Sequence, residues 1–209
     1  MAAKKDAKPQ IAMDLPKDVP NFLLKGRVFV LNVTGNPLEF STLNPVSTIV
    51  GTELDNLDGL NQALHGGTGK IDPRNKALGI AEGSLMNWSS QVTVLVRNLT
   101  NYLDKVALIH LFGARVKVNG KFIKPPFAVT NPSPGVVEMV KTKVPDSVNE
   151  YQVSYDLGVT WDGEDLAATK LNKVSVPGFV KGSTPFLRTR ANLGFVKGKW
   201  LIESIIITQ

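Results

Sequence analysis

Apolar positions along this chain fall into short dense runs cut by glycine, proline and asparagine. Phe22-Leu23-Leu24 leads into Arg27-Val28-Phe29-Val30-Leu31-Asn32-Val33, closed by Thr34-Gly35-Asn36-Pro37. A β-branched run bounded by turn residues reads as a strand. From Ser90 onward the pattern repeats. Gln91–Arg97 alternates around Val92, Val94 and Val96, and Lys105–Phe112 follows after the break Asn98-Leu99-Thr100-Asn101. Arg115–Val118 then meets Asn119-Gly120, a strong hairpin signal, with Lys121-Phe122-Ile123 as the return strand. Further strands are predicted at Val136–Val144, Tyr151–Tyr155, Val174–Val176, Phe186–Arg190 and Trp200–Thr208. Many short strands with Gly/Pro punctuation predict an all-β sandwich or barrel.

Leu43 to Trp88 differs, with short apolar pieces set among Gly, Asn and Asp. Val46–Val50 is a candidate short strand. Leu57, Leu60 and Leu64 fall at i, i+3 and i+7, a short helical stripe that His65-Gly66-Gly67 would stop. The region reads as one long connection carrying a short helix, since it holds too little apolar material for a second core.

The strand faces carry a further message. In Lys105–Phe112 one face would hold Val106, Leu108, His110 and Phe112, and the other Ala107, Ile109 and Leu111. An antiparallel sheet with one wet face alternates cleanly instead. Arg27–Val33 and Ile205–Ile207 show the same doubling. Such second faces need a cover, either the Leu43–Trp88 connection or neighbouring subunits. On the second reading Phe29, Leu31, Ile109 and Leu111 form an assembly surface.

Length and composition set the limits. The chain has 209 residues, 43% apolar and 20% charged, ordinary for a globular protein and enough for one good core or two very small domains. It lacks both a run of about eighteen apolar residues and a secretory leader pattern, so neither a span nor export is expected. The Asn-x-Ser/Thr matches at Asn32, Asn87 and Asn98 then read as chance. With no cysteine, disulfides, thiol catalysis and cysteine-held metals are excluded. The net charge of +6 is scattered, but Lys4, Lys5, Lys8 and Lys17 mark residues 1–20 as a basic, flexible arm ahead of a domain over 21–209. A solvated tail is the plainer reading of that arm; contact with nucleic acid or an acidic neighbour is the functional one.

Candidate chemistry is thin. His65 lies beside a loop and His110 in an apolar strand, and two separated histidines without cysteine do not make a usual zinc site. Gly66-Gly67-Thr68-Gly69-Lys70 fails the phosphate-loop fingerprint, because Leu64 stands where its first glycine belongs and Ile71 replaces the hydroxyl. Asp55-Asn56-Leu57-Asp58-Gly59 lacks calcium-loop spacing. Asp162, Glu164 and Asp165 beside Trp161 offer carboxylates at one turn, which does not set the separation that glycoside chemistry needs. Phe186–Arg190 and Phe195–Trp200 come closest to a nucleic-acid-binding sheet, with their aromatics more economically read as core anchors. No catalytic set, metal site, cofactor or small-molecule substrate is expected.

Val92–Thr100, then Val106–Ala114 ending Leu111-Phe112-Gly113-Ala114, resembles capsid proteins of tailless icosahedral bacteriophages with jelly-roll folds, in which a strand ending Asn-x-Thr turns into one ending Leu-Phe-Gly. The resemblance covers roughly a tenth of the chain. It implies a single jelly-roll sandwich, self-assembly with copies of itself and other virion proteins, an N-terminal arm facing genome, membrane or neighbour, and a place in a virion assembled in the host cytoplasm. The rival reading is a carbohydrate-binding sandwich that uses Trp161 and Asp162, or Trp88, as a stacking platform.

Overall fold

The computed structural model describes residues 9–118, 121–122, 124–162, 169–194 and 196–208. It overturns the all-β expectation. The chain divides into two compact units, Met1–Lys124 and Pro125–Gln209, and the first is largely helical. Where one jelly-roll sandwich was expected from residue 21 onward, β-sandwich structure begins only after Lys124.

In the first unit, helix α1 spans Val19–Gly35, α2 Pro37–Phe40, α3 Ser47–His65, α4 Ile71–Asn98 and α5 Tyr102–Phe112. Strands β1 (Gln10–Ala12), β2 (Arg115–Val118) and β3 (Lys121–Phe122) form a small antiparallel sheet in the order β1-β2-β3. The runs read as strands at Arg27–Val33, Gln91–Arg97 and Lys105–Phe112 are therefore segments of α1, α4 and α5. The doubled apolar faces of Arg27–Val33 and Lys105–Phe112 mark burial on more than one side, since a helix apolar all round belongs in a core.

Capping fixes the helix ends. Asp18 accepts from the Asn21 N–H at 3.0 Å at the start of α1, and Pro20 fits the first turn, where its missing N–H costs nothing. Asn101 caps α5 through the Leu103 N–H. Gly113 ends α5 at φ 91°, in the left-handed region, where a Cβ would also sit 2.7 Å from the Asn32 amide nitrogen. Helix α3 stops where His65-Gly66-Gly67 was expected to stop it.

α4 buries Ala77, Ala81, Leu85, Trp88, Val92 and Val96, a spacing of three and four that keeps one stripe on the core. α3 buries Val50, Leu54, Leu57 and Asn61. Gly26 of α1 lets these helices close in, because a Cβ there would meet Leu54 Cδ2 at 2.8 Å. Phe29, Phe40 and Trp88 gather around Phe112 with ring centroids 5.0, 5.8 and 6.4 Å away, and Trp88 Nε1 donates to the Pro45 carbonyl at 2.6 Å. No helix among the described residues is long and apolar enough to cross a membrane.

The second unit pairs β4 (Phe127–Ser133), β5 (Val136–Lys141) and β7 (Lys173–Val176) in one antiparallel sheet, and β6 (Val148–Ser154), β8 (Phe186–Asn192) and β9 (Leu201–Ser204) in another. Asp162 and Thr169 add isolated bridges to Val153 and Asn149 along β6. Inward residues of both sheets, among them Phe127, Val137, Met139, Tyr151, Val153 and Leu187, share one core. Among the described residues, first, second and fourth strands in one sheet with third, fifth and sixth in the other is the order of an immunoglobulin-type sandwich counted without one edge strand. That strand order replaces the jelly roll.

Candidate functional site

Strand parity builds the site. Leu187 of β8 belongs to the core shared by the two sheets, so Arg188, Arg190 and Asn192 stand on the opposite, outer face, which they share with buried Phe186. Tyr151 and Val153 of β6 are likewise buried, which turns Glu150 and Gln152 outward. The register sets Gln152 opposite Arg188 and Glu150 opposite Arg190. Arg188 Nε donates to Gln152 Oε1 at 2.7 Å, while Glu150 accepts from Arg190 Nε at 2.5 Å and from Asn192 Nδ2 at 2.6 Å.

Two indole rings complete the arrangement. Trp200 immediately precedes β9, whose Leu201 pairs with Thr189, and so comes beside both arginines. Trp161 arrives from the turn after β6. The Arg188 guanidinium lies 4.1 Å from the Trp161 ring centroid and 4.3 Å from that of Trp200; Arg190 lies 4.2 Å from Trp200. The contacts run Trp161, Arg188, Trp200, Arg190, a cation–π ladder across the outer face.

A fixed turn presents Trp161. Asp156 accepts from Ser154 Oγ at 2.7 Å, from the Thr160 N–H at 2.8 and 3.0 Å, and from Thr160 Oγ1 at 2.5 Å. The Thr160 hydroxyl and N–H, with the Ser154 hydroxyl, hold the Asp156 carboxyl down to about 2.

The two arginines differ electrostatically. Burial first, and the charge of Arg190 second, lower the Arg188 pKa to about 10, so the group stays protonated at neutral pH. Burial alone would raise Glu150, but hydrogen bonds from Arg190 and Asn192 and the charges of Arg190 and Lys197 outweigh it and hold the carboxyl below its usual range. Glu150 is thus committed to Arg190 and Asn192. The side-chain acceptor of Arg188 is a neutral amide.

The residues singled out from sequence fall elsewhere or in changed roles. Phe29, Ile109 and Leu111 are buried in the helical core, and Leu31 is half-buried on α1. An assembly surface on those side chains therefore lacks the exposure it needs. Lys4, Lys5 and Lys8 lie outside the described residues, as do Asn119-Gly120, Glu164, Asp165 and Phe195. Trp88 is fully buried and cannot be a platform, whereas Trp161 does stack, on Arg188.

The other candidates are accounted for locally. Asp162 is tied by its backbone to Val153. Asp55 and Asp58 hold Arg27, at 3.1 and 2.9 Å. The N–H groups of Gly66, Gly67, Thr68 and Gly69 turn back onto α3 carbonyls, which leaves them no phosphate to cradle. His65 is exposed at the end of α3, and burial lowers the pKa of half-buried His110 against a hydrogen bond at Ala114. Reading Arg188, Arg190 and Trp200 as basic and aromatic neighbours found part of the ladder, but placing Trp200 in the core hid it. Glu150 and Gln152 gave no signal, because only the β6–β8 register brings them there.

No protein-family model matches the chain, and no curated protein matches it. Among solved structures, the extracellular region of rat CD45, domains d3–d4, is similar at 11% identity with a TM-score of 0.31, over 52% of this chain. The chain spans 60% of that structure.

Proposed function

We propose that the protein is a non-catalytic binding protein whose C-terminal sandwich recognises an acidic polysaccharide on the outer face of β6, β8 and β9. The observation that carries this reading is Arg188, a guanidinium 4.1 and 4.3 Å from two indole ring centroids that donates to the neutral amide of Gln152. The guanidinium carries further N–H donors beyond the one that Gln152 accepts. A planar fork of donors fits carboxylate or sulfate better than a neutral hydroxyl. Half-buried Trp161 adds an apolar surface for sugar C–H groups, and Lys197 and Lys199 lie in the same β8–β9 region.

Isothermal titration against polygalacturonate, heparin, dextran and single-stranded DNA tests the reading. Binding to the acidic glycans that weakens with salt, absent on dextran and reduced at least about tenfold in Arg188→Gln, is the expected result. Equal binding by Arg188→Gln would remove Arg188 from the site. Preference for DNA over both glycans would replace the ligand class.

A further inference from the structure

Beyond the ladder, the β8–β9 hairpin sets a pattern of charge along the outer face. An isolated antiparallel bridge places Lys197 opposite Asn192, two residues on from Arg190. Residues directly opposite in an antiparallel pair share a face, so Lys197 joins Arg188, Arg190 and Asn192 on the outer side. The turn is tied by the Leu193 N–H on the Val196 carbonyl at 2.9 Å and by the Gly198 N–H on the Ala191 carbonyl at 2.7 Å. Lys197 is exposed, and its charge reaches Glu150. No ion pair engages its ammonium among the described residues.

The groups between the two outer cations are neutral as a set. Arg190 is paired with Glu150 at 2.5 Å, and Asn192 donates to the same carboxylate. The order along the face is therefore a cation at Arg188, a neutralised pair at Arg190 and a second cation at Lys197. From Arg188 to Asn192, which Lys197 faces, is a run of roughly 13 Å of strand. Glu150 also opposes any ligand that brings an anion to the middle, because two carboxylates there repel. Such a repulsive element shapes specificity as much as the attractive ones do.

Resting on the acidic-polysaccharide reading above, we infer that the ligand alternates charged and uncharged sugars, and that Lys197 binds its second anion. Arg188 takes one carboxylate or sulfate, an uncharged sugar crosses the Arg190–Glu150 pair, and Lys197 takes the next anion. The Arg188 fork fixes the orientation of the first anion, while the flexible stem and point charge of Lys197 accept the second over a range of positions. A chain with an anion on every sugar sets one of them against Glu150.

The test titrates the isotope-labelled full chain at low ionic strength and follows the Trp161 and Trp200 indole N–H signals. The probes are hyaluronan disaccharide and tetrasaccharide, which hold one and two uronates, and tetragalacturonate, with a uronate on every sugar. The hyaluronan tetrasaccharide is expected to bind at least about fivefold tighter than the disaccharide, and tighter than tetragalacturonate. Lys197→Gln is expected to erase the gain with length, and Glu150→Gln, which unmasks Arg190, to move the preference toward tetragalacturonate. Equal affinity for the two hyaluronan lengths, an undiminished gain in Lys197→Gln, or tighter wild-type binding of tetragalacturonate would each overturn the inference. In those cases binding that still depends on Arg188 leaves the polysaccharide reading standing, whereas no binding to any acidic glycan ends both. The comparison of lengths on the unaltered chain holds even where a variant does not fold.

Discussion

The ladder makes a quantitative claim about Arg188 and Trp200. Replacing Arg188 with methionine keeps an apolar stem, removes the charge and ends the contacts at 4.1 and 4.3 Å with two indole rings. Cation–π contacts contribute about 0.5–1 kcal/mol when exposed and about 2 when desolvated, so half-buried contacts here belong near 1 kcal/mol each. The loss of the Gln152 hydrogen bond adds about 1 kcal/mol. Against these stands the burial that lowers the Arg188 pKa to about 10, which methionine relieves. The single substitution therefore reads a difference of opposing terms, and its size decides little. A double-mutant cycle with Trp200→Leu isolates the ring contact. We expect a coupling of about 1 kcal/mol between Arg188 and Trp200, and a similar coupling between Arg190 and Trp200. Native-state hydrogen exchange at the Leu187 and Thr189 amides is the assay, because it reports opening of the sandwich separately from the helical unit. Couplings below about 0.3 kcal/mol in both cycles would show that the rings and guanidinium groups are merely adjacent.

Three further outcomes follow from buried or tethered polar groups. Asn32 is 1% exposed and neither side-chain polar atom has a hydrogen-bond partner among the described residues, so Asn32→Leu should stabilise the helical unit by about 1–3 kcal/mol in urea unfolding; destabilisation would mean its amide is satisfied. Burial lowers the pKa of Lys141, whose Nζ donates to Asn149 Oδ1 at 2.8 Å, so the unfolded chain binds more protons between that lowered value and 10.5. Sandwich stability should then rise with pH through that window in the wild type relative to Lys141→Met, and parallel pH curves would refute the assignment. The Asp156 carboxyl, held down to about 2 by its turn, supplies its stabilisation above about 3.8 and loses it as pH falls through about 2. Asp156→Asn should loosen Trp161 already at pH 7, seen as loss of the ring-current shift on the Arg188 side-chain protons, and an unchanged shift would leave the Asp162–Val153 bridge as its anchor.

The second half of the chain was legible because its strands obey simple rules. Val136–Lys141 and Val148–Val153 alternate buried and less buried residues, and Pro177-Gly178 and the 132–135 turn punctuate the strands where expected. Strand β4 gave little signal, as its Asn131-Pro132 interrupts both the pattern and the register with β5. The helical half misled for a physical reason. α1 lies where several elements surround it, so Val28, Phe29 and Val33 are all buried and no polar face interrupts the run. A short apolar run enriched in valine reads alike as a buried strand or helix. The longer spacing Val19, Phe22, Leu23, Gly26, Phe29, Val33 carries the helical period, and so does Ala77, Ala81, Leu85, Trp88, Val92, Val96. Those stripes were obscured because alanine and glycine weigh little as apolar markers, while the β-branched segments weigh heavily.

The same contrast explains why the ladder escaped a reading by composition. Arg-x-Arg in a strand places both guanidinium groups on one face, and that much is fixed by the period of two. Which face it is depends on the residue between and beside them. Thr189 is fully buried, held by a hydrogen bond from its hydroxyl to the Glu150 carbonyl, and a threonine does not announce an inward position as leucine would. Leu187 sits in the core shared by the two sheets and Phe186, though buried too, lies on the other face with the arginines. Trp200, one residue ahead of β9, is then drawn to the outer face by register, because its neighbour Leu201 pairs with inward Thr189. A tryptophan in a β-rich segment is therefore assigned to core or surface by the parity of the strand it adjoins. Its size and apolarity alone point the wrong way here, since an indole covered by guanidinium groups is as well packed at the surface as one buried among aliphatic side chains.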